Sequence, residues 1–248
     1  MKHICTYSAI LVLILGSALS LPAQNTKTQL TLEYIYKNGI DPTRSYRSVR
    51  WMEDSRHYTT LESNTERRCS EIIRYNAESG ERVVLVGADQ LVPADGADPL
   101  AVRDYQWSVD NNKLLLFTNT QRVWRYHTRG DYWVLDLSSG HLQQVGSSLP
   151  SSSLMFAKFS PDASRVAYVS EHNIFMEELG DGTVTQLTED GGERFVNGTF
   201  DWVYEEEFSC RDGFRWSNDG EKIIYWHSDT EGTGTFYLIN NVDSIYSQ

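Results

Sequence analysis

The stretch Trp107-Ser108-Val109-Asp110-Asn111-Asn112-Lys113-Leu114-Leu115-Leu116-Phe117 decides the fold. An aromatic residue is followed by a cluster of turn formers and then by a short strand-forming run. That order predicts a hairpin. The aromatic ends one strand, Asp and Asn make the turn, and the apolar run returns antiparallel. The unit recurs. Trp51 leads through Met-Glu-Asp-Ser to Tyr58-Thr59-Thr60-Leu61. Phe159-Ser160-Pro161-Asp162 leads to Val166-Ala167-Tyr168-Val169, and Trp216-Ser217-Asn218-Asp219-Gly220 leads to Ile223-Ile224-Tyr225-Trp226. The four aromatics are 56, 52 and 57 residues apart.

A second hairpin is expected to follow in each copy. Tyr75 leads through Ser79-Gly80 to Val83-Val84-Leu85, Tyr132 to Leu137 through Ser139-Gly140 to Val145, and Ile174 to Leu179 through Asp181-Gly182 to Leu187. Two hairpins per repeat make four strands per repeat, the sequence mark of a β-propeller blade. A β-sandwich also supplies regular strands, but not a recurring aromatic-Ser-x-Asp unit. The expected class is therefore all-β, a propeller of four-stranded blades. About four blades fall in residues 25–248, as an open part of a larger ring rather than a closed four-bladed one.

Composition agrees with a globular chain. Of 248 residues 40% are hydrophobic and 23% charged, and the 12% that are aromatic suit strands. The net charge of -12 argues against nucleic-acid binding and against adhesion to anionic lipid by charge, and leaves a cationic partner open.

Lys2 and His3, the apolar run Ala9 to Leu21, and then Pro22-Ala23-Gln24 read as a secretory signal peptide over residues 1–24. Export follows, to the periplasm or the cell exterior. The alternative is an N-terminal membrane anchor, but the apolar core is shorter than the roughly 20 residues a spanning helix needs. Cys5 precedes that core and is no lipoprotein acceptor. Cys69 and Cys210 remain after cleavage. An exported compartment permits a bond between them, and sequence alone leaves it open. They form no zinc site, for want of a Cys-x-x-Cys or His-x-x-x-His partner. At the other end, Phe236 to Ile239 reads as a strand and Asn240-Asn241 as its turn. The chain then reaches Gln248 without a closing element, as a fragment would.

The densest chemical cluster is Asp201-Trp202-Val203-Tyr204-Glu205-Glu206-Glu207-Phe208. Three glutamates in a row are ordinarily a solvated charge run. Here Trp202, Tyr204 and Phe208, which favour burial, flank them, and the run lies at a blade junction. Adjacent like charges also repel unless a cation sits between them. A strand would send Glu206 and Glu207 to opposite faces, whereas a helical turn sets neighbours about 100° apart and lets both hold one ligand. Two carboxylates suit a protonated amine with its three donors.

Asp-Trp-Val-Tyr-Glu-Glu-Glu resembles the hallmark of the dipeptidyl peptidase IV family of serine exopeptidases, in the prolyl oligopeptidase clan. Arg211-Asp212-Gly213-Phe214-Arg215-Trp216-Ser217, the stretch from Asp229 to Asn241, Val123-Trp124-Arg125, and Thr128-Arg129-Gly130-Asp131-Tyr132-Trp133 resemble its bacterial members. The resemblance covers about residues 45–248. It implies an eight-bladed N-terminal propeller on a C-terminal α/β-hydrolase domain, and release of N-terminal dipeptides with Pro or Ala at the second position. It also implies that Glu206 and Glu207 bind the substrate ammonium with Glu205 in support. Arg125 would bind a substrate carbonyl oxygen, although Arg122 and Arg129 are near. The implied partners are a peptide with a free N-terminus, the missing hydrolase domain and a second copy in a full-length homodimer.

No Gly-x-Ser-x-Gly elbow is present in these residues. Ser138-Ser139-Gly140 and Gly146-Ser147-Ser148 read as turns, so no catalytic residue is assigned and the chain alone should not cleave peptides. No cofactor is expected: Gly232-Thr233-Gly234-Thr235 lacks the third glycine and the context of a phosphate loop. His3, His57, His127, His141, His172 and His227 form no metal motif, and only His227, after a repeat strand, has a position suited to a central cavity. Two functions remain, a recognition part of an exported aminodipeptidase or a stand-alone propeller module that binds peptides or a partner protein.

Overall fold

The computed structural model describes residues 31–37, 49–96 and 98–234. The expected signal peptide, the strand Phe236–Ile239 and its turn lie outside the described residues. The chain divides into two compact units after Tyr46. The first contains a short helix, α1 (Leu32–Lys37), which the sequence reading did not anticipate.

The second unit is built of antiparallel sheets. The first comprises β1 (Arg50–Trp51), β2 (His57–Asn64), β3 (Cys69–Asn76) and β4 (Arg82–Val86). The second comprises β5 (Asp104–Trp107), β6 (Lys113–Val123), β7 (Tyr126–Asp136) and β8 (Leu142–Val145). The third comprises β9 (Met155–Phe159), β10 (Arg165–Ser170), β11 (Asn173–Glu178) and β12 (Val184–Gln186). In each, chain order is spatial order. The fourth repeat differs. Among the described residues it forms two two-stranded sheets, β13 (Phe195–Asn197) with β16 (His227–Asp229), and β14 (Phe214–Trp216) with β15 (Ile223–Tyr225). A seven-residue helix, α2 (Trp202–Phe208), lies between β13 and β14.

The repeat has a local cause. Ser108 Oγ donates to Asp110 Oδ1 at 2.6 Å and accepts the Lys113 N–H at 2.8 Å, while Asn112 N donates to Asp110 Oδ1 at 3.1 Å. Ser160 with Asp162 and Arg165 does the same, as does Ser217 with Asp219 and Lys222. The residue after the Asp sits in the left-handed region: Asn111 at φ 57, Ala163 at 54 and Gly220 at 73. Each turn satisfies its own backbone, so its hairpin closes wherever the motif occurs.

The cores sit between sheets, in series. Leu114 and Leu116 of β6 pack with Leu61, Ile72 and Tyr105, whereas Leu115 and Phe117 pack with Val145, Ala157 and Tyr168. One sheet later in the stack the pattern repeats: Val166 and Tyr168 face the second sheet, and Ala167 and Val169 pack with Ile174 and Phe214. The second and third sheets are therefore buried on both faces. A two-layer sandwich buries one face of each sheet. This architecture is consistent with a β-propeller.

Hydrogen bonds repeat across the seams. Trp107 Nε1 reaches Thr59 Oγ1 of the first sheet at 3.1 Å, and Trp216 Nε1 reaches the Lys158 carbonyl of the third at 3.3 Å. The basic residues that open β6 and β10 each clasp the next turn. Lys113 Nζ donates to the Ala163 carbonyl at 3.2 Å, and Arg165 to the Gly220 carbonyl at 2.8 Å. Both acceptors are the left-handed residue of the neighbouring turn.

Candidate functional site

The acidic motif forms the helical turn that two carboxylates on one ligand require. Asp201 caps α2, its Oδ1 accepting the Tyr204 N–H at 2.9 Å, and Ser209 ends the helix at φ 55. Phe200, Tyr204 and Phe208 recur every four residues and so share a face. Tyr204 packs on Phe200 at 5.5 Å, on Phe208 at 5.5 Å and on Trp226 at 5.9 Å between ring centroids. This ladder fixes the rotation of the helix. The expected burial of the flanking aromatics does not hold: Trp202 is 56% exposed and Phe208 64%. The helix stands off the sheets, and its ring face meets only a few other aromatics.

The excursion that carries α2 leaves and rejoins the sheet through a narrow neck. Thr199 and Asp212 form an antiparallel bridge, and Gly213 N donates to the Gly198 carbonyl at 3.0 Å. No side chain fits there, because a Cβ on Gly213 would lie 2.9 Å from the Gly198 carbonyl carbon.

The second half of the site is an arm. β6 and β7 are eleven residues each, but β5 pairs only with Leu114–Phe117 and β8 only with Tyr132–Leu135, so the hairpin tip projects beyond the four-stranded part. Register shifts between Thr118, Gln121 and Arg122 re-aim it. Ser152 braces its base, with N donating to Asp131 Oδ1 at 2.6 Å and Oγ to the Asn119 carbonyl at 2.6 Å. Trp124 turns the tip at φ 57.

The tip meets the helix. Arg125 Nη1 lies 3.2 Å from Glu206 Oε2, with the arginine side chain 72% exposed and the glutamate 11%. Arg122 turns back to the Trp124 carbonyl at 3.0 Å. Glu205 faces Arg211, Oε1 to Nε 3.4 Å, close enough for an ion pair though outside hydrogen-bond geometry at these two buried atoms. The Arg211 guanidinium also lies 3.5 Å over the Tyr126 ring. Glu207 is exposed. Thus two adjacent glutamates are each held by a different arginine, and an open groove of about 360 Å³ between Arg103, Phe117, His127 and Phe156 adjoins Tyr126 and Arg211.

Sequence reasoning did not foresee Arg211 as the partner of Glu205, nor Tyr126 beneath it. Arg211 lies six residues beyond Glu205 in the same excursion, whereas Tyr126 comes from the second sheet, and no local signal marks that second contact. His227 lies in β16, its Nδ1 2.7 Å from Asn197 Oδ1 and its ring stacked on Phe195. Cys69 and Cys210 are both free. Among the described residues no cluster of His, Cys, Asp and Glu is arranged to hold a metal ion, and no helix is long and apolar enough to cross a membrane.

Residues 108–248 match the family described as the dipeptidyl peptidase IV (DPP IV) N-terminal region. The chain belongs to the dipeptidyl peptidase IV family. Among relatives, it is 35% identical over 148 residues to a protein of Aspergillus clavatus named probable dipeptidyl-aminopeptidase B, and 36% identical over 126 residues to one of the same name from Podospora anserina. These alignments cover 59% and 50% of this chain but 16% and 14% of the relatives. The crystal structure of Porphyromonas gingivalis dipeptidyl peptidase 4 is similar over 88% of this chain, at a TM-score of 0.74 and 29% identity. The match covers 30% of that chain, so the aligned residues span less than a third of the length of these relatives. Both α2 and the arm tip fall within the matched 108–248.

Proposed function

We propose that this chain is the N-terminal, substrate-recognising part of an exported serine-type dipeptidyl aminopeptidase. In this reading the stacked sheets are about four blades of an eight-bladed propeller. They work with an α/β-hydrolase domain that these 248 residues do not contain, and the full-length protein pairs with a second copy. The observation that carries the reading is the meeting of Glu206 on α2 with Arg125 on the arm tip at 3.2 Å.

Glu206 and Glu207 accept the hydrogen bonds of the peptide's N-terminal ammonium. Glu206, paired on one side, holds Arg125 so that the remaining guanidinium donors face solvent and a substrate carbonyl oxygen. Glu205, against Arg211, keeps α2 in register with the arm. Fixing the amine end leaves the hydrolase nucleophile only the bond two residues in, and such positioning supplies much of an enzyme's rate advantage. Pro or Ala at the second position suits the release of dipeptides. Export rests on the apolar run from Ala9 to Leu21.

Calorimetric titration of this chain with Gly-Pro-Ala, beside its N-acetylated form, tests the reading. The free amine should bind and the acetylated peptide should not. Glu206→Ala should weaken binding by about a hundredfold, as expected for a largely buried charge-assisted contact, and Glu207→Ala, which removes an exposed carboxylate, by less. Equal affinity for the two peptides, or no binding of either, overturns it. A Gly-Pro-anilide should be cleaved only when the chain is extended through a hydrolase domain. Amine-specific binding without cleavage in that extended protein would favour a non-catalytic peptide-binding module.

A further inference from the structure

We propose that Lys158 is a positioning residue for the amine site, acting through Asp212 on the Arg211–Glu205 pair. The inference rests on the reading of α2 as an ammonium receptor. Lys158 belongs to β9 of the third sheet, and its side chain is 16% exposed. The Nζ ammonium is bonded to the Asp212 carboxylate, donates to the Phe214 carbonyl at 2.9 Å and lies 3.5 Å over the Phe214 ring. Around it the seam is apolar, with Ala167, Val169, Ile174 and Phe214. A methionine would fill that space without placing a charge where desolvation costs several kcal/mol per ion.

What the charge achieves is visible in its partner. Asp212 closes the neck of the α2 excursion by bridging Thr199. It also pairs with Arg215 at 2.8 Å. The residue before it is Arg211, which engages both Glu205 of the helix and Tyr126 of the arm. Lys158 thus ties the exit of the excursion to the third sheet, and Arg211 leaves that fixed point toward the two elements that must meet.

The charged groups that act on Lys158 are Asp212 and Arg215. Its β10 partner is Ala167, and Gln106, Trp107 and Asn218 line the groove beside it. Burial pulls the ammonium down to about 8, Asp212 opposing the shift and Arg215 adding to it. The proposed anchor is therefore charged at neutral pH and discharges in mildly alkaline solution.

Two protons then support peptide binding, one on Lys158 and one on the α-amino group, which loses its own near pH 8. Titrations of Gly-Pro-Ala onto the chain from pH 6.5 to 9.5 should show log affinity falling with a slope that steepens to about −1.3 between pH 8.5 and 9, beyond the −1 limit of the α-amino group alone, because a tenfold coupling to the Lys158 proton adds at most about half a proton. In Lys158→Arg, whose guanidinium stays charged, the slope should approach about −1 with neutral-pH affinity retained. Asp212→Asn keeps the shape of the neck and should weaken binding about tenfold at pH 7, a coupling of ordinary size. It serves equally if the arginine variant does not fold. A wild-type slope of −1, or undiminished binding by Asp212→Asn, overturns the role of Lys158. Glu206→Gln separates the two readings. If it is weak while the wild-type slope is −1, only the Lys158 inference falls. If it binds like wild type, or the wild-type chain binds nothing, the amine site falls and the inference with it.

Discussion

Gly213→Ala should open the neck beneath α2. A Cβ at this position would lie 2.9 Å from the Gly198 carbonyl carbon, 3.0 Å from its oxygen and 3.0 Å from Thr199 N. All three are backbone atoms, and no rotamer change relieves the contact. Non-bonded carbons settle near 3.5–4.0 Å, so the two chains must part by about 0.5–1 Å. Overpacking of this kind costs about 1–3 kcal/mol. Parting also strains the 3.0 Å bond from Gly213 N to the Gly198 carbonyl, worth about 1 kcal/mol. The sum is about 2–4 kcal/mol, read as a lower urea midpoint at unchanged slope. Peptide affinity should fall with it, because Asp212 and Arg211 move with the neck. Gly192→Ala is the control. Nothing lies within 4 Å of its added methyl, and stability should stay within about 0.5 kcal/mol of wild type or rise slightly. A Gly213→Ala protein as stable as wild type would refute the steric reasoning.

The turn aspartates predict an acid limb. Hydrogen bonds from Ser160 hold Asp162, and those from Ser138 and Ser139 hold Asp136, each at about 2. In the unfolded chain an Asp titrates near 3.9. The native carboxylates are favoured above that value, so their stabilisation is present above about pH 4 and lost as pH falls toward 2. Urea midpoints from pH 2 to 7 should trace this, and Ser160→Ala should flatten the limb; an unaltered limb would count against the Ser160 bond. The thiols predict a labelling pattern. Burial raises the Cys69 thiol, with Glu71 adding to it, whereas Cys210 is partly exposed and donates to the Phe208 carbonyl at 3.5 Å. Brief alkylation of the native protein should mark Cys210 and spare Cys69, and a Cys69–Cys210 linked peptide in a non-reduced digest would contradict the free thiols.

The hairpins were legible because their bonds are short-range. Ser160 Oγ reaches Asp162 and Arg165, two and five residues away, and any stretch with that spacing can close the same turn. The helical turn at Glu205–Glu207 was expected only from two adjacent carboxylates sharing one ligand; the Asp201 cap and the aromatics four residues apart, which hold it within one turn or two, emerged from the structure. The sequence could not supply whether the flanking aromatics would be covered, and Trp202 and Phe208 are not. Nor did the fourth repeat give one four-stranded sheet among the described residues, since β13 pairs with β16 instead.

Sequence alone determined where the strands turn, that the unit repeats, and that an acidic run whose use as one receptor calls for a helical turn lies at a blade junction. Only the tertiary structure decided which faces stack, so that alternate residues of β6 enter different cores. It also decided that Lys113 and Arg165 clasp the next sheet's turn, and that Arg125 and Arg211 divide Glu206 and Glu205 between them. The clasps join residues 50 and 55 positions apart, and the Arg125–Glu206 pair residues 81 apart. Their energies depend on how sheets pack after the hairpins exist, and no local spacing encodes that packing.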